Sequence, residues 1–200
     1  MTAVAAQIDL IVGLGNPGPA YERTRHNAGF WLVDAYAQRC RAVFKSEARF
    51  HGDACKALFD DHRGWLLKPT TYMNRCGQSV ISLSKYYKIP LERILVVHDE
   101  LDLPPGVARF KKGGGHGGHN GLRDIIKAFG GNNDFMRLRL GIGHPGQADQ
   151  VADFVLDDPP KRERELVLDA IDDAIDVLPM LVEGELEKAM NRLHSKKPAE

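Results

Sequence analysis

The most informative stretch of the chain is residues 94–121, which run Ile94-Leu-Val-Val-His-Asp-Glu-Leu-Asp-Leu-Pro-Pro-Gly-Val-Ala-Arg-Phe-Lys-Lys-Gly-Gly-Gly-His-Gly-Gly-His-Asn-Gly121. The first four residues are apolar and predict a buried strand that ends in His98, Asp99 and Glu100. In open α/β sheets, ligands bind at the carboxyl ends of the strands. The stretch therefore predicts an α/β fold with polar side chains at its binding edge.

Glycine dominates the second half of this stretch. Residues 107–112 alternate as a second strand, with Arg109 and Lys111 on one face. Five glycines then fill six positions, Gly113–Gly118, and an apolar-periodic helix is predicted over Leu122–Phe129. Glycine-rich backbone between a strand and a helix can approach a ligand closely, often one that carries phosphate. We interpret the segment as a ligand-contacting loop rather than an unstructured surface loop.

Length and composition restrict the class of protein. The chain has 200 residues, of which 43% are hydrophobic and 27% charged, and this suits one globular domain. No apolar run approaches the ~20 residues of a membrane span, and the N-terminus lacks a signal-peptide pattern. The three cysteines are scattered without C-x-x-C spacing, so neither a disulfide framework nor a cysteine zinc site is indicated. The expected compartment is the cytoplasm.

Charge is unevenly distributed, although the formal net charge is zero. Residues 106–146 carry 7 basic and 2 acidic side chains, whereas residues 147–200 carry 7 and 14. A local basic patch on the glycine-rich segment suits a limited phosphate contact and argues against wholesale wrapping of nucleic acid.

A second glycine motif lies near the N-terminus. Ile8–Leu14 is a strand candidate, and Gly13–Gly18 matches the dinucleotide fingerprint G-x-G-x-x-G. Pro17 and Pro19 prevent a direct start of a helix, and no second strand ends in an acidic residue about twenty positions later. A nicotinamide site is therefore disfavoured, and we expect a turn that exposes Asn16.

The rest of the chain alternates predicted helices and strands. Helices are expected over Phe30–Cys40, Gln78–Tyr87 and Lys161–Leu178. Pro179 is expected either to break the last of these helices or to precede a further helix that ends near Leu193. Strands are expected over Ala48–Phe59, Gly64–Lys68 and Arg137–Ile142. This order predicts one α/β domain over residues 1–194, with a mixed, mostly parallel twisted sheet flanked by helices. Residues 195–200 are expected to form a frayed tail.

Two polar residues are ambiguous from local pattern alone. His26 precedes a predicted helix, where its imidazole can point into a cleft, although a lone histidine is more often structural. Asn74 follows a strand end, and its local pattern taken alone favours an N-cap of the helix Gln78–Tyr87 over a functional role.

Six motifs, taken in order, resemble the bacterial peptidyl-tRNA hydrolase family. They are Gly13–Gly18, Tyr21-x-x-Thr-Arg-His-Asn-Ala-Gly29, Lys68-Pro-x-Thr-Tyr-Met-Asn74, His98-Asp-Glu-Leu-Asp-Leu-Pro104, Gly113–Leu122 and Arg137–Pro145. The resemblance runs from about Ile8 to His194. Two features depart from it: Cys76 stands where relatives often have serine, and residues 147–150 lack the lysines of some relatives, so no tRNA contact is expected there.

The resemblance implies a monomeric α/β enzyme that hydrolyses the ester between a peptide and the terminal ribose of tRNA, and so recycles peptidyl-tRNA released prematurely from ribosomes. It implies peptidyl-tRNA as the partner, with no metal and no organic cofactor. It makes His26 the catalytic base and Asp99 its orienting carboxylate. The other implied residues are the cleft amides Asn16, Asn74 and Asn120, of which Asn120 is also catalytic, the lining residues Tyr21 and Met73, and the tRNA-phosphate contacts Lys111 and Arg139.

Elementary chemistry agrees with this mechanism. Ester hydrolysis needs an activated water and stabilisation of a developing oxyanion. An imidazole is a workable base near neutral pH, and a neighbouring carboxylate fixes its tautomer. No Gly-x-Ser-x-Gly motif is present, so direct attack by water is favoured over an acyl-enzyme. Amides donate and accept hydrogen bonds, which suits recognition of the penultimate peptide bond and discrimination against the charged amine of aminoacyl-tRNA.

Two alternatives belong to other classes of protein. A zinc hydrolase would use ligands from the set His98, Asp99, His116, His119 and His144, although no His-Glu-x-x-His helix is present. A non-catalytic RNA-binding relative would keep the same fold without turnover.

Overall fold

This computed structural model describes residues 7–59 and 61–196. These residues form seven strands and six α-helices, which are joined by turns and loops. The strands are β1 Leu10–Gly13, β2 Lys45–Glu47, β3 Gly52–Phe59, β4 His62–Pro69, β5 Ile94–Glu100, β6 Ala108–Lys112 and β7 Met136–Gly141. The helices are α1 Ala28–Arg39, α2 Cys76–Tyr87, α3 Asn120–Ala128, α4 Val151–Leu156, α5 Lys161–Val182 and α6 Leu186–His194. Residues 1–6 of the predicted domain and residues 197–200 of the predicted tail lie outside the described residues.

The strands form one mixed sheet in the order β2-β3-β4-β1-β5-β7-β6. β4, β1, β5 and β7 pair in parallel, while β3 and β6 pair antiparallel to their neighbours. β2 is antiparallel to β3 and so shares the direction of the parallel strands. The predicted mixed, mostly parallel α/β sheet is confirmed.

Helices cover both faces of the sheet because its central strands are apolar on both sides. Leu10 and Val12 pack into the core beneath α2 and α3, and the intervening Ile11 packs into the core formed with α1, α5 and α6. Successive strand residues point to opposite faces. Each fully buried Leu, Ile or Val side chain contributes about 1.5–3 kcal/mol, so the two cores hold the parallel strands rigidly in register.

Two predicted boundaries are wrong for identifiable reasons. The strand expected from Ala48 begins at Gly52, because Ala48–Phe50 forms a 3₁₀ turn that closes on His51 at φ 48°. Pro179 does not break its helix, since α5 continues to Val182, and the buried side chains of its last turn hold it against the core. A further helix, α6, does end near Leu193 as expected. No helix in residues 7–59 and 61–196 is long and apolar enough to cross a membrane.

Candidate active site

A cavity of about 520 Å³ opens beside the carboxyl end of β5. It is bounded by the glycine-rich loop, the start of α3 and the segment that contains α4. Five of the predicted site residues line it: His26, Asp99, Lys111, Asn120 and Arg139. This is the edge of an open α/β sheet at which ligands bind, and the cavity is therefore the candidate active site.

His26 and Asp99 form a buried hydrogen-bonded pair in this cavity. The Nδ1 atom of His26 lies 2.9 Å from Oδ1 and 3.0 Å from Oδ2 of Asp99. His26 lies in the 3₁₀ turn Arg25–Asn27 that leads into α1, and Asp99 lies near the end of β5. Because Nδ1 carries the hydrogen in this pairing, Nε2 is the ring nitrogen that can accept a proton.

A second imidazole, that of His119, binds the same carboxylate. Its Nε2 lies 2.9 Å from Asp99 Oδ1. Its Nδ1 accepts hydrogen bonds from the backbone N–H groups of Gly121, at 3.1 Å, and Leu122, at 3.4 Å, and so caps α3. A histidine whose Nδ1 accepts carries its hydrogen on Nε2, so His119 donates to Asp99. Asp99 therefore receives N–H groups from two directions.

These contacts set the protonation states of the pair. Burial alone raises the pKa of Asp99, but attraction to His26 and His119 and the hydrogen bonds from both hold it well below its ordinary value. Burial alone lowers the pKa of His26, but the charge of Asp99 and its hydrogen bond outweigh burial and leave that pKa raised. The carboxylate is thus anionic, and it stabilises the imidazolium form of His26.

His98 precedes Asp99 and differs from the other imidazoles. It is 2% exposed, and its Nδ1–H donates to the Asp99 carbonyl oxygen at 2.8 Å. Burial, and then the nearby His119, lower the pKa of His98 to about 3. His98 is therefore neutral near pH 7 and unsuited to carry a proton through a reaction.

Asn16 is buried, so the expectation that its turn exposes it is wrong. Its backbone N–H donates to Asn27 Oδ1 and its carbonyl oxygen accepts from Asn27 Nδ2, both at 2.9 Å. Its own Oδ1 accepts the Met73 N–H at 2.8 Å. These bonds come from residues distant in sequence, and they leave the Asn16 amide NH₂ without a partner among residues 7–59 and 61–196. Asn16 lines a second cavity, of about 450 Å³, rather than the main one.

The other predicted polar residue of the main cavity, Asn120, is the first residue of α3. Its Oδ1 accepts a hydrogen bond from Arg123 Nη1 at 2.9 Å, which leaves its NH₂ group as a donor. Asn120 is exposed at the cavity surface.

The remaining predicted residues, Tyr21, Met73 and Asn74, line neither cavity. Met73 packs against the start of α3, where a Cβ on Gly121 would lie 2.6 Å from its sulfur, so a larger residue at position 121 would displace the Met73 side chain. Tyr21 meets Tyr72 edge to face at 6.3 Å. Asn74 is exposed in a 3₁₀ turn, and Arg75 is the N-cap of α2, so the N-cap interpretation of Asn74 is wrong.

Comparisons with known proteins agree with the resemblance. A family model described as "Peptidyl-tRNA hydrolase" matches residues 10–200. The chain belongs to the peptidyl-tRNA hydrolase family. It is 55% identical to the Peptidyl-tRNA hydrolase of Tolumonas auensis over 94% of this chain and 95% of that one. It is 54% identical to that of Alcanivorax borkumensis, over 96% of this chain and 98% of that one.

Solved structures of the peptidyl-tRNA hydrolase family have the same fold. The crystal structure of peptidyl-tRNA hydrolase from Acinetobacter baumannii matches with a TM-score of 0.93 and 50% identity, over 96% of this chain and 97% of that one. A crystal structure of a peptidyl-tRNA hydrolase with N-propanol matches with the same TM-score and identity. The predicted fold class is therefore confirmed both by the sheet order and by these structures.

A basic edge, formed by Lys111 and Arg139, lies in the same cavity of this family member. Lys111 pairs with Arg137, and Arg109 with Arg139, in the antiparallel register of β6 and β7, so all four side chains start from one face. Lys111 is exposed, and Arg139 lies 3.9 Å from Glu100 Oε2. Arg137 is buried and donates to the Gly114 and Gly115 carbonyl oxygens, which anchors the glycine-rich loop beside Lys111.

The zinc alternative can be tested against the same geometry. Among residues 7–59 and 61–196, His26, Asp99 and His119 bring possible ligand atoms within 4.8 Å of one another, and His98, His116 and His144 stand outside this group. The nitrogen–oxygen distances from Asp99 are 2.9–3.0 Å. Two ligands at about 2.0–2.1 Å from a tetrahedral zinc would lie more than about 3 Å apart. The spacing favours hydrogen bonds over shared metal ligation.

Sequence reasoning missed two residues of this site. The sequence presents His119 only as a candidate zinc ligand, although its place at the start of a predicted helix is a usable sign of capping. Asn27 was only part of a motif, and nothing local indicates that its side chain holds the Asn16 backbone.

Proposed function

We propose that this chain hydrolyses the ester between a peptide, or an N-blocked amino acid, and the 3′-terminal ribose of tRNA, recycling peptidyl-tRNA released prematurely from ribosomes. The reaction makes it a carboxylic ester hydrolase. The observation that carries the proposal is the buried His26–Asp99 pair in a chain whose relatives are named peptidyl-tRNA hydrolase. Peptidyl-tRNA, through its acceptor end, is the partner.

In the proposed mechanism, His26 activates a water molecule. The water attacks the ester carbonyl while its proton moves to Nε2 of His26, and the imidazolium then gives a proton to the leaving ribose oxygen. Asp99 keeps the hydrogen on Nδ1 and stabilises the imidazolium by its charge. His119 is a positioning residue, because its N–H holds the Asp99 carboxylate from the other side. These contacts hold the ring of His26 in place at the lining of the cavity.

Direct attack by water is supported by the lack of a suitable nucleophilic side chain. No serine, threonine or cysteine is among the described residues that line the main cavity. Burial raises the pKa of the Cys76 thiol far above neutral, and burial raises that of Cys55 to about 11. A thiolate is therefore scarce at either position, and an acyl-enzyme has no evident attachment point.

The asparagine amides are proposed to bind the acyl end of the substrate. Asn120 has its carbonyl oxygen occupied, so its NH₂ group is available to stabilise the oxyanion or to orient the water. The NH₂ group of Asn16 is available in the same way for a carbonyl oxygen, which suits the penultimate peptide bond. A free aminoacyl-tRNA has a charged amine there instead and should be spared. Asn74, Tyr21 and Met73 are proposed to complete the substrate-binding surface.

The basic edge, Lys111 and Arg139, is proposed to bind one phosphate of the tRNA. Arginine offers a planar fork of donors and lysine a mobile point charge, and the two together suit a phosphate group. The charge excess of residues 106–146 supports this role. We further propose that the protein acts as a monomer in the cytoplasm and needs neither metal nor organic cofactor.

Incubation with an N-blocked aminoacyl-tRNA tests the function. We expect release of deacylated tRNA, with much slower release from the matched free aminoacyl-tRNA, and the same rate in excess chelator. No release would reject the function, equal release from both substrates would reject the acyl-end recognition, and loss in chelator would favour the zinc alternative.

The non-catalytic RNA-binding alternative finds no support. The relatives named above are hydrolases by name, and the chain matches them over nearly their whole length.

A further inference from the structure

One wall of the main cavity consists of small apolar side chains. We call Ala148, Val151, Ala152 and Val155 the α4 wall, because they line the cavity from the segment that contains α4. α4 has six residues, and helices shorter than ~12 residues are marginal without tertiary contacts. The position of this wall relative to His26 is therefore set by groups outside the helix.

Arg25 supplies such contacts from the same 3₁₀ turn that carries His26. Its Nη1 donates to the carbonyl oxygens of Phe154, at 3.1 Å, and Asp157, at 3.3 Å. Its backbone N–H donates to the Asp157 carbonyl oxygen at 3.1 Å, and its guanidinium carbon lies 4.0 Å from the centre of the Phe154 ring. The last turn of a helix has carbonyl groups without intrahelical partners and attracts positive charge. Arg25 satisfies both needs at the end of α4.

The burial of Arg25 is hard to explain by stability alone. Arg25 is 6% exposed, and its Nη2 pairs with Glu163 at 3.1 Å near the start of α5. Charges taken out of water contribute little net stability even when they are paired. A buried guanidinium with several fixed partners is better explained by the geometry that it imposes.

We propose that Arg25 is a positioning residue that fixes the α4 wall against His26 and so sets the shape of the cavity that receives the ester. The inference rests on the proposed function. Arg25 is not among the residues that line the main cavity, so it acts through the wall rather than on the substrate. The base and the residue that holds the facing wall are consecutive in the chain, and this keeps their separation constant.

The test is a double-mutant cycle measured as kcat/KM on N-blocked aminoacyl-tRNA. Arg25→Gln should lower kcat/KM by about 10- to 10²-fold, as expected when reacting groups are misplaced by about 1 Å. Arg25→Lys keeps the positive charge but lacks the planar guanidinium group, so its kcat/KM should lie between that of Arg25→Gln and that of the wild type. Glu163→Gln removes only the ion pair and is the matched control, with kcat/KM near that of the wild type. Near-ultraviolet circular dichroism confirms folding at the assay temperature.

The second arm of the cycle separates positioning from mere stabilisation. In a protein that already carries Val151→Ala and Val155→Ala, Arg25→Gln should lower kcat/KM by a several-fold smaller factor than in the wild type. The reason is that substitutions that disrupt the same contact do not have additive effects. An equal loss in both backgrounds, or wild-type kcat/KM in Arg25→Gln, would overturn the inference. If Arg25→Gln does not fold, Arg25→Lys is put through the same cycle with the same criteria. An inactive wild-type protein would instead reject the proposed function.

Discussion

The hydrogen-bonded centre, formed by His26, Asp99 and His119, shares one cavity with the basic edge, but the two regions are built in opposite ways. His26 and Asp99 are 8% and 3% exposed, and their contacts with each other and with His119 are short. Lys111 is exposed and has no ion-pair partner in residues 7–59 and 61–196, and the ion pair of Arg139 is long, at 3.9 Å. Buried charges are screened little by salt, whereas exposed charges are screened strongly. In the proposed function, the chemical step would therefore depend on fixed geometry, and the proposed tRNA contact would depend on mobile charge.

The largest effect is expected from His26→Ala. Without its base the enzyme should lose about 10²–10⁴-fold in kcat, on both N-blocked aminoacyl-tRNA and a short nucleotidyl ester. His51→Asn is the matched control, because His51 is exposed outside both cavities and asparagine tolerates its positive φ. Near-wild-type turnover in His26→Ala would refute the base assignment.

Asp99→Asn should lower kcat somewhat less than His26→Ala does, and it should also shift the pH profile of kcat/KM. An asparagine has no charge, and its NH₂ group replaces one of the two carboxylate oxygens that lie 2.9 and 3.0 Å from His26 Nδ1, so the contact with His26 weakens. In the wild type, we expect kcat/KM to fall as pH drops through the raised pKa of His26. In Asp99→Asn, burial remains as the main influence and lowers this pKa, so the acid limb should shift to lower pH. An unmoved acid limb would show that Asp99 does not tune His26.

His119→Asn isolates the contact between His119 and Asp99 from the capping of α3. Asparagine is a good N-cap and should keep α3 intact, but it is too short to reach the carboxylate. A hydrogen bond to a charged group contributes about 1.5–3 kcal/mol to stability, so we expect Tm to fall by several degrees, and kcat of the folded protein to fall by about tenfold. Unchanged kcat would remove His119 from the mechanism.

The smallest effects are expected at the basic edge. Lys111→Ala and Arg139→Ala should each raise KM for the tRNA substrate and make the log K against log salt slope shallower by roughly 0.7–0.9. Lys112→Ala is the matched control, since Lys112 is a neighbour on β6 that does not line the cavity. The short ester should be almost unaffected by all three. If Lys111→Ala and Arg139→Ala lowered activity on the short ester as much as on the tRNA substrate, these residues would support the cavity itself rather than bind the tRNA.

The sequence predicts most of the fold because the signals involved are local. Periodicity and turn chemistry predict the apolar run of β5, the glycine-rich loop and the start of α3. Because ligands bind at the carboxyl ends of the strands in open α/β sheets, the position of Asp99 at the end of β5 also predicts its place at the binding edge. α4 was not predicted because six residues carry too little periodicity. The start of β3 was misplaced because the 3₁₀ turn before it is not evident from residue type.

Within the site, local pattern finds residue types but not their partners. The pairing of His119 with Asp99 depends on the distance between α3 and β5, which no spacing along the chain reveals. The burial of Asn16 depends on Asn27 and on Met73, 57 residues away. Long-range hydrogen bonds of this kind appear only once the sheet has assembled.

We propose that His26 and Asp99 perform the chemistry and that the basic edge binds the tRNA. The most direct test measures kcat and KM of the wild type, His26→Ala and Lys111→Ala on N-blocked aminoacyl-tRNA over a series of salt concentrations. We predict that His26→Ala loses kcat with an unchanged salt slope, and that Lys111→Ala keeps kcat with a shallower slope. A lower kcat in Lys111→Ala together with a changed salt slope in His26→Ala would contradict this division of roles between the two regions.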